Sequence, residues 1–97
     1  MSDAAQDPSL TDFSGRVGQS FEVAVGGHRL MLALEAAEAL HGSVRPSGGF
    51  RLQFHGPADP MLTQGIFPFE IEGERYELFV VPLSRNESGT RYEAVFY

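Results

Sequence analysis

The chain has 97 residues, enough for one domain with a modest core and too few for two. Thirteen carboxylates stand against seven cations, every cation is Arg, and there is no Cys, for a net charge of −6. Those counts exclude disulfide staples, thiol chemistry, Lys Schiff bases and a P-loop lysine, while the scattered Arg residues offer no basic stripe to nucleic acid or to an anionic membrane.

Residues 1–9 are small, polar and acidic, a solvated tail ahead of a single domain over 10–97. They lack a basic n-region and an apolar h-region, so no secretory signal is read and the cytoplasm is the expected compartment. Thr11, followed by Asp12, Phe13 and Val17, predicts an N-capped helix of about two turns ending at Gly18. Leu10, Phe13 and Val17 would share one face and plug the end of a sheet.

Phe21-Glu22-Val23-Ala24-Val25 alternates as a strand, and Gly26-Gly27 is a two-residue hairpin signal. His28 to Leu40 carries two patterns. Its Leu, Met, Ala and Glu favour a helix, whereas Leu30, Leu32, Leu34 and Ala36 alternate. The Gly-Gly turn demands a partner strand, so 28–36 is expected to be extended. Gly42 to Gly49 reads as a loop and Phe50 to His55 as a strand.

The Gly56–Gly65 connection is stiffened by Pro57 and Pro60. Ile66 to Glu72 then sets Phe67, Phe69 and Ile71 on one face, with Pro68, Glu70 and Glu72 on the other. Pro68 cannot donate to a ladder, which predicts an edge strand. Gly73 turns into a strand from Arg75 to Val81 with Leu78 and Val80 on one side and Phe79 and Val81 on the other. Apolar residues on both faces predict a central strand or one that meets a partner. Asn86 to Gly89 is the last hairpin loop. Thr90 to Tyr97 alternates Tyr92, Ala94 and Phe96 against Glu93, Val95 and Tyr97, and the outer edge of this strand is expected to lack a neighbour.

The expected fold is mainly β, about six antiparallel strands forming a small barrel or rolled sheet, with one short N-terminal helix. Phe21, Val23, Leu32, Leu52, Phe54, Phe69, Leu78, Val80, Tyr92 and Phe96 form the predicted core.

Catalytic constellations do not assemble in the sequence. His28, His41 and His55 have no metal-ligand spacing. Glu70, Glu72, Glu74 and Glu77 read as a solvated face, because an acid–base pair needs two contrasting environments. No Ser lies in Gly-x-Ser-x-Gly. No cofactor, metal site or enzymatic activity is therefore expected. The connection with Pro57, Asp59, Pro60, Met61 and Gln64 is the first candidate for binding, since rigid loops on a β scaffold often carry it. Phe79 and Val81 are the second.

From about Leu10 to Tyr97 the chain resembles a family of small bacterial domains without an assigned function. The resemblance is carried by Leu10-Thr11-Asp12-Phe13, Val17-Gly18-Gln19, Phe54, Gly56-Pro57, Asp59-Pro60, Gln64-Gly65, Leu78-Phe79-Val80-Val81-Pro82 and Arg91-Tyr92-Glu93-Ala94-Val95-Phe96. It implies an all-β fold, extended structure over 28–38, and a place beside phage tail-collar or tail-fibre-like proteins. It supplies no catalytic residue. The expected function is a non-enzymatic interaction or structural accessory domain whose partner is another protein, or a second copy of the chain. The alternative is a small-molecule-binding β-barrel lined by some of the eight Phe and three Tyr.

Overall fold

Alternation and turn chemistry translate directly into strands. The computed structural model describes residues 10–40, 49–59, 61–71 and 73–96. In it a short helix, α1 (Leu10–Ser14), precedes β1 (Ser20–Val25), β2 (His28–Leu40), β3 (Gly49–Gly56), β4 (Gly65–Ile71), β5 (Glu74–Asn86) and β6 (Gly89–Phe96). All ladders are antiparallel. Among the described residues no helix is long and apolar enough to cross a membrane.

Gly26 and Gly27 take φ of 55° and 84°, the paired left-handed values of a two-residue hairpin. They fix β1 on β2 from Val25↔His28 to Ser20↔Ala33. His28–Leu40 is strand throughout, because β1 pairs with its first half and β3 with its second. Helix propensity is worth only tenths of a kcal/mol per residue, and two ladders plus the burial of Leu30, Leu32 and Leu34 outweigh it. A bulge at Glu35, between Leu34↔Phe54 and Ala36↔Gln53, shifts the register by one residue. Beyond it Ala37, not the expected Ala36, packs against the core.

The strand order is β1-β2-β3-β6-β5-β4. Two three-stranded meanders join through β3 and β6, and the chain crosses from β3 to β4 over residues 57–64, which makes a Greek key. The last strand is therefore flanked on both sides, by β3 and β5, and its expected free edge does not exist. Short-range alternation contains no information about that crossing. The edges belong to β1 and β4. They pack against each other with Phe21 and Phe69 facing across the gap at 6.3 Å between ring centroids, so the barrel is nearly closed without a ladder. Pro68 sits on β4, where only the β5 side is laddered.

The interior is filled by rings and aliphatic side chains. Phe54 lies 5.2 Å from Phe69 and 6.4 Å from Phe21, and Phe50 stacks on Phe96 at 4.5 Å. Nine of the ten predicted core residues are buried, and Phe96 packs partly buried against them. α1 plugs one end through Phe13, which meets Phe50 at 6.2 Å and Tyr76 at 5.9 Å. The helix is shorter than its sequence predicts. It ends at Ser14, Thr11 lies within it rather than capping it, and residues 15–18 form a turn. That turn puts Val17 outside, 52% exposed, instead of beside Phe13. Gly18 N–H and Gln19 C=O then bond Leu34 at 2.8 Å each, tying the turn to β2 before β1 begins.

Candidate functional site

A barrel wall shows alternate residues to its outside, so each strand contributes an outer row. On β2, β3 and β6 this row carries cross-strand ion pairs, with Met31 of β2 exposed beside them. Arg51 of β3 bridges Glu38 of β2 and Glu93 of β6, and the hydrogen bond it donates to Glu38 holds its guanidinium still more firmly protonated than usual. Arg91 of β6 pairs with Glu35. Exposed pairs of this kind contribute little to stability but make a hydrated surface.

The β4–β5 arm differs. Ile66 and Phe79 are directly opposite in the ladder and are 66% and 46% exposed. Val81, two residues along β5, is half-buried on the same side, and exposed Pro68 follows Ile66 on β4. Beyond them the row becomes polar, with Glu77 opposite Pro68 and Arg75 opposite Glu70. Arg75 donates to Glu77 at 2.8 Å. Glu70, Glu74 and Glu77 are thus an exposed rim with a cation in it, as their spacing suggests, and Glu72 lies outside the described residues.

The sequence leaves two covers for Phe79 and Val81, the N-terminal helix through Phe13 and Val17 or another protein. The helix instead lies over the barrel end, against β2, and leaves Phe79 uncovered. The missed member of the pair is Ile66. Its parity with Pro68 and Glu70 marks it as outward, but an isolated Ile at a strand start does not announce its cross-strand neighbour.

The Pro57–Gln64 connection divides. Leu62 is buried, and its N–H donates to the Tyr92 hydroxyl at 2.8 Å, so the loop is pinned to the barrel. Pro57 is half-buried, while Asp59, Met61 and Gln64 are exposed. Pro60 lies outside the described residues. Asp59 reaches Arg85 of β5 at 4.0 Å. Gln64 leads directly into Gly65, which pairs with Val80. The two candidate regions of the sequence thus adjoin: the end of the loop enters β4 beside the Ile66–Phe79 pair.

Among the described residues no group of three His, Cys, Asp or Glu side chains is placed to hold a metal. His28 sits exposed beside the first hairpin turn, and His41 lies outside the described residues. Burial, and then the neighbouring Asp12, pushes the Tyr76 phenol above its ordinary pKa. Two clefts open on the outer surface. One of about 330 Å³ follows the β1–β4 gap, lined by Glu22, Ala24, Pro68, Phe69, Glu70 and Arg75. The other, of about 310 Å³, lies where β2, β3, β5 and β6 converge.

Residues 8–96 match the family model described as Domain of unknown function (DUF6916), and the chain belongs to that family. No curated protein and no solved structure matches the chain.

Proposed function

We propose that this member of the DUF6916 family is a non-enzymatic interaction domain that docks on another protein through the outer face of its β4–β5 arm. The observation that carries this reading is the Ile66–Phe79 pair, two large apolar side chains directly opposite each other and exposed. Elsewhere the outer wall carries ion pairs and single exposed apolar side chains such as Met31 and Leu83, so two apolar side chains paired across a ladder and flanked by Pro68, Val81 and the Glu77–Arg75 pair stand out as a contact surface. The adjoining loop, with exposed Met61 and Gln64, extends the surface at its upper end. A setting beside a phage-tail-like or fibre-like assembly in a bacterium belongs to the same proposal and rests on the sequence resemblance. The alternative of a ligand held inside the barrel is less well supported, because ring contacts occupy the interior.

The test is a pair of charge insertions, Phe79→Glu and Ile66→Glu, in the full chain. Proteins that co-purify with the unaltered chain are identified, and each is then purified and titrated against both variants. Both variants are expected to melt within a few degrees of the parent and to lose a direct partner by at least about tenfold in Kd. A folded pair of variants that binds every verified partner with undiminished affinity would overturn the assignment.

A further inference from the structure

The second cleft gathers polar side chains from four strands on the outer wall. Glu35, His55, Ser84, Asn86, Ser88 and Arg91 line it, with Gly89 at its floor. The two bulges of the sheet flank it. Glu35 is the extra residue of the β2 bulge, and Ser84 follows the β5 bulge that skips Leu83, so that Ser84 stands opposite Arg91. Bulges re-aim side chains and gather near functional sites. Arg91 is also directly opposite His55 in the β3–β6 ladder. Three rows therefore converge on one guanidinium.

Gly89 fixes the imidazole. Its φ is 140°, and a Cβ there would overlap the Gly56 carbonyl oxygen and come within 2.5 Å of His55 Nε2. Only glycine lets β6 pass this close to the ring. The His55 imidazole makes no hydrogen bond or ion pair with the other described residues, and the walls of the cleft are almost wholly polar. Asn86 Oδ1 accepts from both the N–H and the hydroxyl of Ser88, at 2.9 and 2.6 Å, which aligns one rim.

We propose that this cleft binds a small zwitterion of the free α-amino-acid class, carboxylate toward Arg91 and His55, ammonium toward Glu35. Glu35 Oε1 stands 3.9 Å from Arg91 Nε, an ion pair without a hydrogen bond. The guanidinium fork remains able to grip a carboxylate in the bidentate manner. The same Glu35 repels a dianion such as phosphate and attracts a cation. No Phe, Tyr or Trp lines the cleft, so a sugar ring or nucleobase finds no large apolar face there. A protein terminus offers one of the two charges; a free amino acid carries both on one carbon. The proposal is independent of the apolar face on β4 and β5.

The experiment is a nuclear magnetic resonance titration of the isotope-labelled full chain with L-alanine, acetate and inorganic phosphate in parallel. L-Alanine is expected to shift the amides of residues 84–91 and the neighbours of Glu35 and His55, with a millimolar Kd. Acetate and phosphate are expected to bind about tenfold more weakly or worse. Arg91→Gln should abolish the L-alanine shifts. Glu35→Gln should reduce L-alanine to the affinity of acetate. If Arg91→Gln loses its dispersed spectrum, Arg91→Lys replaces it: weakened binding supports the fork contact, and unchanged binding refutes it. Absence of shifts with L-alanine, their persistence in folded Arg91→Gln, or equal binding of acetate or phosphate to the unaltered chain would overturn the proposal.

Discussion

Phe54→Ala and Phe79→Ala remove the same atoms from two places whose difference only burial explains. Phe54 is fully buried on β3, with its ring packed beside both Phe21 and Phe69. It therefore helps to hold β1 against β4, where no ladder does so. Truncation there deletes a large side chain and leaves a cavity that the surrounding strands cannot collapse, costing ~3–5 kcal/mol. A domain of this size shifts its Tm by ~4–8 °C per kcal/mol, so the loss is on the order of 12–40 °C. Phe79, 46% exposed and opposite Ile66 in the ladder, should cost ~1 kcal/mol or less. Thermal melts by circular dichroism, with urea unfolding to obtain the midpoint and m, compare the two directly. Equal Tm shifts for both variants, or a loss below about 4 °C for Phe54→Ala, would refute the inward and outward assignment of β3 and β5.

Tyr92→Phe leaves the buried Leu62 N–H without its acceptor and should lower the urea-derived stability by ~1–3 kcal/mol, with fast amide exchange confined to the loop. Gly27→Ala meets open space and should cost only the backbone strain of its φ of 84°, ~1–2 kcal/mol. Gly89→Ala adds overlap with the Gly56 carbonyl to a similar strain and should cost ~1–3 kcal/mol more, read from the same denaturation series. The Tyr76 phenol is raised in the folded state, so the folded chain holds that proton more tightly than the unfolded one. Its contribution is fully present below the ordinary Tyr pKa and declines as pH rises through the folded value. Melts recorded from neutral to strongly alkaline pH should show this loss, and Tyr76→Phe should flatten it.

Strands, turns and most of the core were legible in the residues themselves. Period-two alternation at Phe21–Val25, Phe50–His55 and Tyr92–Phe96 reports which side chains face inward, whatever the strand order. Gly26-Gly27 was enough to overrule the helical composition of the next segment, because a two-residue turn with two positive φ values has few other uses. Pro68 marked an edge strand for an equally local reason, the missing donor. Glu70, Glu74 and Glu77 around Gly73 read correctly as a solvated rim, since carboxylates beside a tight turn keep their water.

Other features depended on contacts between residues far apart in the chain. Val17 turned outward because the helix stops at Ser14 and the next residues bond Leu34. Ala37 replaced Ala36 inside because pairing with β3 inserted a bulge at Glu35. The C-terminal strand gained neighbours on both sides through a crossing that no local pattern encodes. Ile66 met Phe79, and His55 met Arg91 and Gly89, only through ladder register. Local alternation sets the face of a side chain, since it follows from the pleat alone. Which side chains meet across strands is set by pairing, and pairing is fixed by the free energy of burying one shared core.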